Sequence, residues 1–169
     1  WWRTAIVDME PGQLSFRGRP IQELIGNVTF PQMVWLMLRS DLPEDGQARL
    51  LEAALVSAVD HGPQAPSIAC ARMAVTCGLG LNGALASAVN FLDDIHGGAG
   101  EQAMELFHDI AARRRAGASL EDAVREGIEA FHAKGNKYIS GYGHRFHKPE
   151  DPRSPRLLAL ADEAGQGGV

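Results

Sequence analysis

The spacing of apolar residues along the chain predicts a protein built almost entirely of helices. Only the beginning differs, where residues 4–9 and 13–16 are short extended candidates separated by the turn signal Pro11-Gly12. We therefore expect a small hairpin there. From residue 21 onward, apolar positions recur every three or four residues, which is typical of helices that bury one face.

Helix boundaries follow from capping signals and from this periodicity. Thr29 is suited to cap a helix and Pro31 fits its first turn. The stretch 33–38 is apolar on most sides, so we expect it to be buried. Further helices are predicted at residues 42–60, 66–78, 82–95, 99–115, 119–134 and 154–164. Residues 135–153, rich in glycine and proline, form a predicted loop, and the predicted fold class is all-α.

Composition and charge exclude several classes of partner. The chain has 169 residues, 45% of them hydrophobic, and a net charge of −5, so it has no broad basic face for nucleic acid. No stretch reaches the roughly 20 apolar residues of a membrane span. Cys70 and Cys77 lie about 10 Å apart along a predicted helix. That separation favours free thiols and a cytoplasmic location.

Three histidines stand beside glycines at predicted helix ends: His61 before Gly62, His96 before Gly97-Gly98, and His144 after Gly143. A single histidine at such a position often only contacts the last carbonyls of a helix, and for His61 alone this interpretation is the better one. A solvated basic loop likewise accounts for His147 and Lys148 if they are taken alone.

The combination carries more information than each histidine alone. With Arg145 and Arg153, the three histidines could form a cradle for carboxylates, since arginine binds a carboxylate through two parallel hydrogen bonds. Imidazole exchanges protons near neutral pH. The pattern therefore indicates acid–base chemistry on a carboxylate-bearing substrate.

Taken in order, these segments resemble the citrate synthases and their relatives, the citryl-CoA lyases. The matching segments are Phe16-Arg17-Gly18, Leu42-Pro43, Asp60-His61-Gly62, His96-Gly97-Gly98-Ala99, Gly141-Tyr142-Gly143-His144-Arg145 and Asp151-Pro152-Arg153. The resemblance covers nearly the whole chain. The form of the segment from Asp60 to Ser67 is more similar to citryl-CoA lyases, including the lyase module of ATP-citrate lyase, and favours the cleavage direction.

The resemblance implies a multi-helical large domain at residues 1–97 and the beginning of a smaller α domain at residues 98–169. The two alanine-rich helices 66–78 and 82–95 present more apolar surface than a lone small domain leaves exposed, so we expect a homodimer through them, and the resemblance implies the same.

It further implies the reaction and its residues. The coenzyme A thioester substrate would be acetyl-CoA or citryl-CoA, and the other reactant would be oxaloacetate or a related 2-oxo acid. No tightly bound cofactor and no metal are expected. His96 would stabilise the enolate of the thioester, and His144 would exchange a proton with the oxaloacetate oxygen. His61 and Arg153 would bind the dicarboxylate. The predicted coenzyme A loop consists of Tyr138, Ile139, Gly141, Tyr142 and Gly143.

One feature of the family is missing from the chain. The family's general base is an aspartate roughly fifty residues after the Asp-Pro-Arg segment, and this chain ends at Val169, sixteen residues after Arg153. The later arginines of the carboxylate site are absent as well. We expect the chain to be part of a longer protein. The alternative is a dimeric module that binds coenzyme A or a dicarboxylate and has lost catalysis.

Two other interpretations stay open at this point. The segment Gly78-Leu79-Gly80-Leu81-Asn82-Gly83 matches a dinucleotide-binding fingerprint, with residues 73–77 as the strand before it. The following segment is predicted to be helical, so a turn between helices is the better interpretation. A zinc site at His144 and His147 lacks a third ligand at a suitable spacing.

Overall fold

A computed structural model describes residues 3–144 and 147–166. In this part of the chain, eight helices accompany one three-stranded sheet, which confirms the predicted multi-helical class. The chain divides into two compact units, one formed by residues 3–59 with 152–166 and the other by residues 60–144 with 147–151. The domain boundary expected after residue 97 stays a prediction.

The first unit begins with the expected hairpin. Strands β1 (Val7–Glu10) and β2 (Gln13–Phe16) pair antiparallel, with Val7 opposite Phe16. A third strand, β3 (Arg19–Pro20), pairs with β2 and was not predicted. Arg17 and Gly18 both adopt positive φ angles, 49° and 77°, and so make the tight turn between β2 and β3.

After the short helix α1 (Ile21–Leu24) comes α2 (Phe30–Arg39), whose capping was predicted correctly. The Thr29 hydroxyl accepts from the Gln32 backbone N–H at 3.4 Å, and the Gln32 side chain accepts from the Thr29 N–H at 2.8 Å. This reciprocal capping box satisfies two N–H groups that the helix itself leaves unpaired.

The expectation that residues 33–38 of this helix are buried is wrong for all of them except Leu36. Within the helix only Pro31 and Leu36 are buried, whereas Phe30 and Leu38 are 78% and 76% exposed. The reason is that α2 packs mainly against one neighbour, α3 (Asp45–Ser57), so only one face is covered.

The first unit closes by packing α3 against α8 (Arg153–Glu163). Gly46 sits at the beginning of α3, where an added Cβ would lie 3.3 Å from the Cβ of Ala164. Glycine therefore permits the close approach of the two helices. The helix α3 ends three residues before the predicted position, and of its leucines Leu50 and Leu51 are half-buried whereas Leu55 is exposed.

In the second unit, α4 (Pro66–Thr76) packs against α5 (Leu81–Val89). Helix α5 was predicted to continue to residue 95, which is wrong, since residues 90–98 form a loop instead. The segment 73–77, which the dinucleotide-binding interpretation required to be a strand, belongs to α4 and its C-cap. Gly78, with φ at 91°, belongs to the turn between the two helices, so that interpretation is wrong.

The other helix pair of this unit, α6 (Ala99–Arg115) and α7 (Leu120–Ala133), contains the buried cluster Leu106, Ile110 and Ala123. The helix predicted at residues 119–134 is present as α7, and Ser119 caps it, its hydroxyl accepting from the Asp122 N–H at 3.1 Å. Within the described ranges 3–144 and 147–166, the helices are too short or too polar for a membrane crossing.

Candidate active site

His96 lies in a tight turn that its own backbone stabilises. The Asp93 N–H donates to the His96 carbonyl at 3.0 Å, and the Gly98 N–H donates to the Asp93 carbonyl at 3.1 Å. Gly97 has φ at 114°, and a Cβ on Gly98 would lie 2.6 Å from the Asp94 carbonyl oxygen. Both glycines are therefore required by the backbone of this turn. His96 precedes α6 by three residues and does not end α5, which corrects the expected helix-end position.

The ring of His96 is held by Ser67 in the first turn of α4. The Ser67 hydroxyl lies 2.9 Å from His96 Nε2, and the Ser67 backbone N–H donates to the same nitrogen over 3.4 Å. Because a backbone N–H is only a donor, these contacts favour an unprotonated Nε2. The proton of the neutral imidazole then resides on Nδ1, which is the arrangement that a neutral hydrogen-bond donor needs.

His61 and His144 come together although 83 positions separate them in the sequence. Their ring centroids are 6.3 Å apart, and the ring of His147 lies 4.6 Å from that of His144. The His144 Nδ1 accepts from the His147 backbone N–H at 3.2 Å. Neither histidine ends a helix, since His61 lies four residues after α3 and His144 lies in the long loop after α7.

The predicted coenzyme A loop is fixed on the beginning of α6. The Ser140 hydroxyl donates to the Gln102 side-chain oxygen. A Cβ on Gly141 would lie 3.1 Å from the Cβ of Ala103, so only glycine lets the loop lie this close to the helix. The ring of Tyr142 meets that of Phe107 edge to face, with centroids 6.3 Å apart. Successive residues of the loop thus follow one face of α6.

An open cavity of about 1050 Å³ lies beside this loop. Among the described residues, its lining includes Tyr138, Gly143, His144, His147, Lys148 and Pro149. Tyr138 and Gly143 were predicted to contact coenzyme A and do line this space. Ile139 instead packs against the buried cluster between α6 and α7. The loop therefore has one residue fastened in the core and others exposed to a ligand-sized space.

Arg153 belongs to the first compact unit, as the first residue of α8. Its Nη1 donates to the Ser57 carbonyl at 3.3 Å. Its predicted role in dicarboxylate binding stays a prediction. Arg145, another member of the proposed cradle, lies outside the described residues. In the ranges that the structure describes, no three His, Cys, Asp or Glu side chains form a metal-binding group.

Three residues that hold this site together, Ser67, Gln102 and Ser140, had no role assigned to them in the sequence analysis. Ser67 ends the segment that resembles citryl-CoA lyases, but nothing in that segment predicts its hydrogen bond with His96. No local signal marks Gln102, because its partners lie 8 residues before it and 38 residues after it. Such contacts follow from tertiary packing and from no motif.

The family model for the C-terminal domain of citrate synthase matches residues 44–168, which hold all three histidines. The chain belongs to the citrate synthase family. A solved citryl-CoA lyase from Hydrogenobacter thermophilus is 36% identical and superposes with a TM-score of 0.81, covering 97% of this chain and 61% of that one. A citrate synthase of Deinococcus radiodurans is 31% identical over 75% of this chain.

A third relative supports the fold alone. The ATP citrate lyase of Methanosaeta concilii is 21% identical, with a TM-score of 0.80 over 96% of this chain and 26% of that one. The chain spans only 31% of the length of the Deinococcus citrate synthase. Family and fold are thus established for a region that makes up about a third of such curated relatives.

Proposed function

We propose that this chain supplies the histidine-bearing part of an enzyme that forms or cleaves the carbon–carbon bond between acetyl-CoA and oxaloacetate, or a closely related 2-oxo acid. The observation that carries the proposal is family membership over residues 44–168. The pairing of His61 with His144 beside an open cavity supports it.

We favour the cleavage direction, with citryl-CoA as substrate. Support comes from the Hydrogenobacter citryl-CoA lyase, whose 36% identity extends over 97% of this chain. In cleavage, the substrate hydroxyl loses its proton as the carbon–carbon bond breaks, and a carbonyl forms on the departing oxaloacetate. The bonding electron pair passes to the thioester as an enolate, which then takes up a proton at carbon to give acetyl-CoA.

His96 would stabilise this enolate. Its contact with Ser67 favours a proton on Nδ1, and this N–H would donate to the thioester oxygen as negative charge develops there. A fixed donor of this kind contributes about 3 kcal/mol to stabilising a transition state. Ser67 therefore acts through His96 as a positioning residue, in the way that a second hydrogen bond fixes the tautomer of many functional histidines.

His144 would accept the hydroxyl proton, with His61 binding a carboxylate of the same substrate. The ring separation of 6.3 Å leaves room for groups of one small molecule to contact both imidazoles. The cavity beside Tyr138 and Gly143 would hold part of the coenzyme A moiety, and Lys148 on its wall offers a cation for the phosphates.

We further propose that the active form is a homodimer built through α4 and α5. Leu81, Leu85 and Val89 form a stripe at four-residue intervals along α5 and are 76%, 56% and 62% exposed. On α4, Met73 is 63% exposed. A contiguous apolar surface of this kind on a soluble protein is typical of an interface.

Incubation of the full-length protein with citryl-CoA tests the proposal directly. Release of acetyl-CoA and oxaloacetate in equal amounts is expected, with the reverse reaction detectable from the two products. Calorimetric binding of coenzyme A without turnover of any substrate would instead favour the non-catalytic binding module. If the protein neither binds coenzyme A nor turns over citryl-CoA, both the catalytic and the non-catalytic proposal are contradicted.

A further inference from the structure

The side chain of Gln102 joins the two segments on which the proposed chemistry depends. Its Nε2 donates to the Asp94 carbonyl at 2.9 Å, in the turn that carries His96. Its Oε1 accepts from the Ser140 hydroxyl, in the coenzyme A loop. We propose that Gln102 is a positioning residue that couples coenzyme A binding at the loop to the placement of His96.

The chemistry of the two contacts explains why an amide stands here. One contact needs a donor and the other an acceptor, and a primary amide presents both on a single planar group. A carboxylate at this position would accept from Ser140 but would face the Asp94 carbonyl with a second acceptor. An asparagine is one methylene shorter, so its amide would not span the same two partners from the same backbone position.

Nearby packing makes the link stiff. Gln102 lies in the first turn of α6, and its own N–H donates to the Gly98 carbonyl at the end of the His96 turn. On the other side, Gly141 packs against Ala103, the residue next to Gln102. A displacement of the loop would therefore act on the beginning of α6 through the Ser140–Gln102 hydrogen bond and the close approach of Gly141 to Ala103.

This inference rests on the proposed function only for the identity of the ligand, since the hydrogen bonds themselves do not depend on it. Hydrogen exchange measured by mass spectrometry on full-length protein without ligand tests the link first. Gln102→Leu keeps the side-chain size and is expected to speed exchange in both segments, residues 93–98 and 138–144. Ser140→Ala should speed exchange in the loop alone. The control Glu101→Gln, which changes a residue in the same helical turn, should speed exchange in neither segment.

Addition of coenzyme A tests the coupling. In the wild type, coenzyme A should slow exchange in both segments, whereas in Gln102→Leu it should slow exchange in the loop only. Protection of both segments in Gln102→Leu, or unchanged exchange in both without ligand, would overturn the inference. Failure of coenzyme A to protect the wild-type loop would count against the proposed function, while the ligand-free result would still decide the link.

Kinetics separate positioning from general destabilisation. With a coenzyme A thioester as substrate, Gln102→Leu should raise KM and lower kcat, each by about tenfold, because both segments shift. Ser140→Ala should raise KM and leave kcat within about twofold, since the His96 turn keeps its contact. A lower kcat with unchanged KM in both variants, matched by a fall in Tm, would show a merely structural role.

Discussion

The two helix pairs of the second compact unit differ in how completely they bury their apolar side chains. Between α6 and α7, Leu106, Ile110 and Ala123 are at most 8% exposed. The α4–α5 pair buries only Ala84 within its helices, and Leu81 on the same helix is 76% exposed. The first pair forms its core within the chain, whereas the second presents a surface suited to a partner.

Each pair nevertheless supports one half of the proposed site. Ser67, in the first turn of α4, holds the ring of His96, and Gln102, in the first turn of α6, holds both the His96 turn and the coenzyme A loop. The site therefore depends on one pair that is stable by its own packing and on another that we expect to be completed by a second copy. Four substitutions test this difference: one lies on α5 of the exposed pair, and three lie on α7 or its cap in the self-contained pair.

The largest effect is expected for Leu85→Glu, in the middle of the exposed stripe on α5. A charge placed in an apolar dimer interface is desolvated without a partner, so the dimer Kd should rise about 100-fold, or about 3 kcal/mol. Analytical ultracentrifugation over a range of concentrations measures this. The control is Leu120→Glu, which changes a leucine of similar exposure, 47% against 56%, on the self-contained pair. Equal association of both variants and the wild type would contradict the assignment of the interface.

Gly127→Ala probes the packing between α6 and α7. A Cβ at this position would lie 2.9 Å from Ile110 Cγ1, so the buried Ile110 side chain or the helices themselves must shift. Overpacking of this kind costs about 1–3 kcal/mol of unfolding free energy. Gly100→Ala is the matched control, since no atom lies within 4 Å of its added Cβ and it lies within α6. Urea unfolding should show a loss only for Gly127→Ala, and equal stability of the two variants would show that the pair is loosely packed.

Removal of the cap of α7 should have a smaller effect. Ser119→Ala deletes the hydroxyl that accepts from the Asp122 N–H, at a cost of about 1 kcal/mol. Thermal unfolding should register a lower Tm, whereas Ser119→Thr, which keeps a hydroxyl that can accept from the Asp122 N–H and donate to the Asp122 carboxylate, should have a Tm close to the wild-type value. An unchanged Tm in Ser119→Ala would mean that α7 begins independently of its cap.

The smallest effect concerns the charge of Asp122. Hydrogen bonds from Arg125 and then from Ser119 hold the pKa of this carboxyl below its usual value. Since the folded-state pKa is the lower one, the stabilisation is present above about pH 4 and is lost as the pH falls through the folded-state value. Asp122→Asn should therefore be less stable than the wild type at neutral pH, and the gap should narrow in acid. A gap that widens on acidification would contradict this sign.

Local signals in the sequence were sufficient for the hairpin, for the cap at Thr29 and for the existence of most helices. Each depends on residues close together in the sequence, such as Thr29 with Gln32, so its signal can be read without knowing the tertiary structure. The overestimate of burial at α2 has the opposite origin. An apolar composition does not reveal how many neighbours a helix has, and Leu38 is left exposed.

The site could be predicted as a set of residues but not as an arrangement. Gly97 and Gly98 marked the His96 segment, yet the helix predicted there runs to residue 95, six residues past the observed end of α5 at Val89. The backbone bonds of the turn, Asp93 to His96 and Gly98 to Asp93, end that pattern instead. The approach of His61 to His144 depends on tertiary packing, which no motif encodes.

Steady-state kinetics of His96→Ala in the full-length protein test most directly whether His96 stabilises an enolate. We expect kcat to fall at least about 100-fold while KM for the coenzyme A thioester changes by less than about threefold, because the lost interaction forms mainly in the transition state. His108→Ala, an exposed histidine on α6, is the control and should retain wild-type rates. An unchanged kcat in His96→Ala would contradict the account.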